Sequence, residues 1–145
     1  ICEVAQPFMA ATSIHNFHFD GLKSVPTVLG DPLRLEQVGK NLLSNAVKYS
    51  PDGGNITIRG EVKVDHVQFS IKDEGIGMTD EQQEHLFEKF YRADASNTAI
   101  GGTGLGLAIS KLIIDLHDSQ MWIKSQRNAG TTVYFTLPLA EKRKI

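Results

Sequence analysis

The chain is poor in the features that would settle its class at once. It has one cysteine, Cys2, so it cannot close an internal disulfide and must be held by a packed core. That suits a reducing setting, and a cytoplasmic location is expected for this segment. No run approaches the roughly 20 apolar residues of a membrane-spanning helix, and there is no secretory leader pattern. The chain starts with Ile rather than Met and is expected to be a piece of something longer, whose membrane attachment it does not report. Neither sign of charge dominates. The formal net charge of −2 gives no global attraction to nucleic acid or an anionic membrane, so any bound anion must be held by local geometry. His15, His18, His66, His85 and His117 show no metal-ligand spacing and are expected to be structural or exposed. No Ser–His–Asp grouping, internal repeat or low-complexity linker can be argued.

What is present is ordinary for a globular domain: 41% apolar and 22% charged residues over 145 positions, enough for one domain, 1–145, with a real core. "SIHNFHFD" alternates weakly and reads as a strand; "VPTVLG" reads as a short second extended piece with an edge-favouring Pro26. Asp31 is a good N-cap and Pro32 fits the first helical position. Leu35, Val38, Leu42 and Ala46 share one stripe, and Ser50–Gly54 is a stop, so a helix is expected from Pro32 to Tyr49. "NITIRGEV" and "HVQFSIKD" alternate with period two and predict an antiparallel pair. "TDEQQEHLFEKFYR" opens with a Thr or Asp cap and predicts a helix. Leu105, Ile109, Leu112, Ile113 and Leu116 predict the stripe of a last helix. "QMWIKS" and "TTVYFTLP" predict a closing strand pair, with Trp122 in the core. The implied class is α+β: a two-layer sandwich with helices on one face of a mostly antiparallel, mixed sheet.

Four stretches carry candidate chemistry. In "GGTGLGLAISK", Gly102, Gly104 and Gly106 let backbone approach a ligand closely. The helix beginning near Leu105 offers unpaired N–H groups and its dipole to an anion such as phosphate; the alternative is a flexible loop easing a helix start. It is not a P-loop, because Gly104 is followed by Leu105 and Gly106 rather than Lys and Ser or Thr. Nor does it follow a strand, as a dinucleotide-binding turn does. Asn41 and Asn45 lie one turn apart on one face, with Lys48 beyond. Amide oxygens suit Mg²⁺, which also takes water and phosphate; the alternative is a solvated helix face. Asp73 follows an apolar strand, so its carboxylate points into the sandwich and needs donors, such as an adenine amino group. Gly75 and Gly77 would let a flat ring lie against the backbone; the alternative is a plain Asp–Gly turn. In "FEKFYR", Phe87 and Phe90 read as core anchors. Tyr91 and Arg92 read either as surface residues or as contacts to nucleotide and phosphate, and the small residues that follow suggest a lid.

These features, in this order, resemble the catalytic and ATP-binding domain of sensor histidine kinases, in the ATPase superfamily that also holds gyrase, MutL and certain heat-shock chaperones. "NLLSNAVKYS" is similar to the N box, "DEGIGM" to the first glycine box, "FEKFYR" to the F box and "GGTGLGL" to the second glycine box. The resemblance runs from about Asp31 to Pro138 and implies the Bergerat ATP-binding fold. It implies that Asn45 binds Mg²⁺, with Asn41 its partner one turn earlier. Lys48 would contact phosphate and Tyr49 would flank the nucleotide. Asp73 would take the adenine amino group, and Ile76, Gly77 and Leu86 would line the base pocket. Tyr91 and Arg92 would approach ribose and phosphates. Gly102, Thr103, Gly104, Leu105, Gly106 and Leu107 would wrap the triphosphate, with Thr131 behind the adenine.

Two departures matter. Where hydrolysing relatives such as gyrase have a general-base Glu, Asn41 stands, and an amide cannot take a proton from water. Where many members have Gly-Gly after "LH", this chain has Asp118 and Ser119. Nothing resembles the phosphoacceptor motif of the dimerisation domain. The expected function is therefore transfer of the γ-phosphoryl group of Mg-ATP to a histidine on a separate dimerisation domain, in two-component signalling with a response regulator. Asn41, Asn45, Lys48 and Arg92 are the catalytic candidates, and no nucleic acid is involved. The isolated domain is expected to be a monomer. The rival readings are an anti-sigma-type serine kinase and a nucleotide-sensing module without transfer.

Overall fold

The computed structural model describes residues 2–85, 87 and 106–140. The elements run α1 (Cys2–Ala11), β1 (His15–Asp20), a 3₁₀ turn (Leu22–Ser24), α2 (Pro32–Lys48), β2 (Gly54–Val62), β3 (His66–Asp73), α3 (Asp80–His85), α4 (Gly106–Leu116), β4 (Met121–Ser125) and β5 (Thr131–Pro138). The strands form one sheet in the order β1-β2-β3-β5-β4. Among the described residues β1 and β2 pair in parallel, and β2–β3, β3–β5 and β4–β5 pair antiparallel. The α+β, mixed-sheet sandwich predicted from the pattern is the fold observed.

Alternation sorts the strand residues. Ile56, Ile58, Val67, Phe69, Ile71, Val133, Phe135 and Leu137 face Val38, Leu42, Leu43 and Ala46 of α2, all buried. Each such fully buried aliphatic side chain contributes about 1.5–3 kcal/mol. Phe69 stacks on Phe135 with ring centres 5.1 Å apart. The same alternation puts Asp73 and Thr131 on this inner face, where they are register partners at the end of the β3–β5 ladder. Asp31 caps α2, its carboxylate accepting from the N–H groups of Leu33 and Arg34. Thr79 caps α3 in a capping box: its hydroxyl accepts from Gln82 N–H, and the Gln82 side chain accepts from Thr79 N–H.

Four points differ from expectation. The expected strand in "SIHNFHFD" forms as β1, but a helix that the pattern did not announce, α1, precedes it despite Pro7 inside, with Val4, Ala5 and Phe8 packed against the core. "VPTVLG" pairs only through the single bridge Val28–Leu139. On α4 the buried residues are Ser110, Ile113 and Ile114, whereas Leu112 and Leu116 are exposed. That helix is apolar on most sides, so period alone does not choose its inner face. Trp122 lies off the core, stacked on Tyr134 at 5.3 Å, on the sheet face opposite the helices; its strand neighbours Met121 and Ile123 take the inner positions.

Candidate active site

A cleft opens between α2 and α4 over the ends of β3 and β5. Asn45 and Tyr49 line it from α2, Leu107 from α4, Asp73, Thr131 and Val133 from the strands, and Gly77 and Met78 from the loop after β3. Asp73 is its one acidic group and is 5% exposed. One carboxylate oxygen, Oδ1, accepts from the N–H of Gly75 at 2.9 Å and of Thr131 at 3.3 Å. The other, Oδ2, has no partner among the described residues. Burial pushes the carboxyl up to about 6, while the two N–H donors and the nearby His15 pull it back. At neutral pH the group is therefore mainly a carboxylate, with one oxygen committed to the fold and one available to a donor.

The wall behind Thr131 is set by Ser125. Its hydroxyl donates to Gly130 O (3.0 Å) and accepts from Met78 N–H (2.8 Å). With that hydrogen spent, the 2.7 Å contact to Thr131 Oγ1 is a bond donated by Thr131, whose hydroxyl oxygen keeps its own lone pairs. The Gln83 side-chain amide donates to the carbonyls of Met78 and Ser125, which fastens α3 to the same corner.

On the opposite side, the Asn41 amide donates to Gly106 O and Ser110 Oγ, both at 3.2 Å. This ties α2 to the first turn of α4 and explains how a serine is fully buried there. The Asn41 nitrogen is thereby committed. Asn45, one turn on, is half-buried in the cleft wall. Lys48 is exposed at the end of α2, with no ion-pair partner among the described residues.

The sequence-derived candidates Asn45, Tyr49, Asp73, Gly77, Leu107 and Thr131 thus meet around one cleft, with Asn41 and Gly106 joined beside it. Gly75 and Ile76 belong to the supporting loop rather than to the cleft lining. A Cβ on Gly75 would fall 1.9 Å from Tyr49 O, and one on Gly77 1.8 Å from Gln126 O. These glycines make room for neighbouring backbone, not only for a ligand. Leu86, Tyr91, Arg92, Gly102, Thr103, Gly104 and Leu105, and the expected lid, lie outside the described residues. Sequence reasoning missed Met78, Val133 and Ser125. Val133 could have been found, since it shares the strand phase of Thr131; Ser125 gave no signal, because its role depends on the pairing of β4 with β5.

Among the described residues no group of three or more His, Cys, Asp or Glu side chains is placed to hold a metal ion. That donor set still fits Mg²⁺ arriving with phosphate. Mg²⁺ keeps several waters, takes phosphate oxygens and needs only one or two protein oxygens, and the amide oxygen of Asn45 in the cleft wall is a donor of that kind.

A family model described as histidine kinase-, DNA gyrase B-, and HSP90-like ATPase matches residues 30–141. The chain belongs to this family. Its relatives include the sensor histidine kinase WalK of Bacillus subtilis, 43% identical over 116 residues that make up 78% of this chain and 19% of WalK. Among solved structures, the mycobacterial sensor histidine kinase MprB superposes with a TM-score of 0.81 at 28% identity, covering 99% of this chain and 94% of that one. Full-length ShkA in complex with AMPPNP gives 0.77 at 25% identity, covering 95% of this chain and 28% of that one. The ATPase domain spans between 17% and 29% of the length of the first curated relatives it matches.

Proposed function

We propose that this domain binds Mg-ATP in the cleft between α2 and α4 and supplies the γ-phosphoryl group to a histidine on a separate dimerisation domain of a sensor kinase, from which a response regulator receives it. The observation that carries the reading is Asp73: a buried carboxylate with one oxygen fixed by two backbone donors and the other open to a mostly apolar cleft. A carboxylate so placed recognises a flat heterocycle with an exocyclic amino group, as adenine has. The relationship to ShkA, described with AMPPNP bound, agrees in ligand class.

Asp73 would accept from the adenine amino group, with Thr131 behind the ring. Phosphates would run towards the start of α4, where helix N–H groups and dipole favour anions. The Asn45 oxygen would hold Mg²⁺, which supplies charge neutralisation on the phosphates, and Lys48 adds a point charge at the same end. The chemistry asks little more of this chain. The acceptor imidazole attacks phosphorus with its own lone pair, the bond to the β,γ-bridging oxygen breaks, and ADP leaves with those electrons. The imidazole then loses its other N–H proton to solvent. Positioning and electrostatics dominate such a transfer, and no base is needed, in keeping with an amide at position 41.

Titration with ATP and ADP, with and without Mg²⁺, tests the reading. Both nucleotides should bind, Mg²⁺ should tighten ATP, and Asn45→Ala should remove that gain while leaving metal-free ADP binding within about threefold. No heat with any adenine nucleotide on folded protein would end the proposal.

A further inference from the structure

One buried titratable side chain has no part in the mechanism above. His15 opens β1, at the edge of the sheet, and is 9% exposed. Its Nε2 lies 2.7 Å from Ser50 O and 3.0 Å from Ser50 Oγ. The Ser50 hydroxyl hydrogen is already given to Ala46 O, so both Ser50 oxygens act as acceptors and Nε2 carries the hydrogen. At the other ring nitrogen, Nδ1 meets Thr12 Oγ1 at 2.7 Å, immediately after α1.

Ser50 is the residue on which the cleft loop rests. It follows Tyr49, the C-cap of α2. Tyr49 O accepts from Ile76 N–H at 3.0 Å, and Gly75 lies so close that a Cβ would strike Tyr49 O and Ser50 Cα. Gly75 N–H in turn holds Asp73 Oδ1. A continuous set of short contacts thus runs from the α1–β1 junction through Ser50 and Tyr49 to the loop that fixes Asp73.

We infer that His15 is a positioning residue for the nucleotide cleft: its Nε2–H holds the end of α2 in the place where the loop after β3 is seated, and so aims the Asp73 carboxylate. His15 touches no substrate. It acts on the base end of the cleft, and the inference rests on the adenine-nucleotide reading above. Removing the donor does not orphan its acceptors, since Ser50 O still accepts from Gly53 N–H and the Ser50 hydroxyl is still bonded to Ala46 O. A folded His15→Leu protein is therefore expected.

The test compares wild type, His15→Leu, His15→Gln and Asp73→Asn in ATP and GTP titrations. His15→Leu should weaken ATP about tenfold, the worth of one good buried hydrogen bond. It should narrow the preference for ATP over GTP and leave the relative effect of Mg²⁺ unchanged. With a supplied acceptor domain, KM for ATP should rise by a similar factor while kcat stays within about twofold, because the phosphate end is untouched. His15→Gln, whose side-chain amide can donate to the same oxygens, should recover ATP affinity to within about threefold. If folded His15→Leu binds ATP and discriminates GTP as wild type does, the inference fails. It fails equally if His15→Gln is as impaired as His15→Leu, since ring packing rather than the donor would then matter. Should His15→Leu not fold, His15→Gln decides alone: near-wild-type affinity upholds the inference and a tenfold loss overturns it. In each case wild type binds and Asp73→Asn binds far more weakly, so the adenine reading survives. A wild type that binds no nucleotide removes both.

Discussion

At Asp73, folding and ligand recognition make opposite demands on one carboxyl group. Its pKa is raised from 3.8 to about 6 in the folded protein, so the folded state binds the proton more tightly than the unfolded one. That proton's contribution to stability is complete below about pH 3.8 and is lost as pH rises through about 6. At pH 7 the ionised, buried group costs the fold on the order of 2–3 kcal/mol. Asp73→Asn keeps an oxygen for Gly75 and Thr131 but turns a donor towards the cleft. It should therefore raise the melting temperature of the ligand-free domain at pH 7, with the gain shrinking towards pH 4, while weakening ATP by about 100-fold or more. A variant both less stable and still nucleotide-binding would contradict this account. The pH dependence of binding carries the same sign. Affinity for adenosine, which has no phosphate to titrate, should be flat above pH 7 and fall below about pH 6 as the carboxylate is protonated; the little binding that Asp73→Asn retains should show no such step.

Elements show where sequence reading succeeds and where it stops. The span of α2 was legible because Asp31, Pro32, a clear stripe and a Pro–Asp–Gly–Gly stop all agree. The inner-face placing of Asp73 followed from its place after an apolar strand, and that of Thr131 from the resemblance. The inner face of α4 was legible only in part: Ile109 and Ile113 of the expected stripe pack on the core, Leu112 and Leu116 do not, and the buried face also carries Ser110, whose burial depends on Asn41 from another helix. Helix α1 was hidden by Pro7, which lacks the N–H for an interior helical bond. The C-terminus of α4 shows what the missing glycine does. Ser119 N–H bonds to Ile114 O and Asp118 N–H to Asp115 O, the paired bonds of a Schellman motif, and Asp118 sits at φ 53°, where glycine is at ease. Its negative charge also lies at the unfavourable end of the helix dipole. Asp118→Gly should stabilise the domain by about 0.5–1 kcal/mol without changing nucleotide affinity, as read by urea denaturation and ATP titration. Gly77→Ala should do the reverse. At φ 66° and against Gln126 O, it should cost about 2 kcal/mol or more even without ligand, showing that the glycine serves the packing of the loop.

For the whole molecule, the proposed transfer needs an acceptor histidine. His15 is buried with both ring nitrogens engaged. His18 bonds Asn55, His66 bonds Asp65, and His117 bonds Asp31 N–H and Ile113 O. None of these four lines the cleft, and the ATPase domain covers less than a third of the first curated relatives' length. His85, on α3, is not among the cleft-lining residues either. The arrangement agrees with the proposed acceptor on another domain, because an in-line transfer needs an imidazole that can approach the γ-phosphorus freely. The domain incubated with radiolabelled Mg-ATP alone should take up no label. Addition of a dimerisation domain with its histidine should place label on that added domain, in a bond lost in acid and kept in alkali. Asn45→Ala should abolish the transfer. Asp118→Gly, remote from the cleft residues, should leave it intact and so control for folding. Label stable to acid would instead favour a serine acceptor. Tight ATP binding with no transfer to any added domain would recast the cleft as a nucleotide sensor, leaving the account of Asp73 standing and removing that of the phosphoryl group.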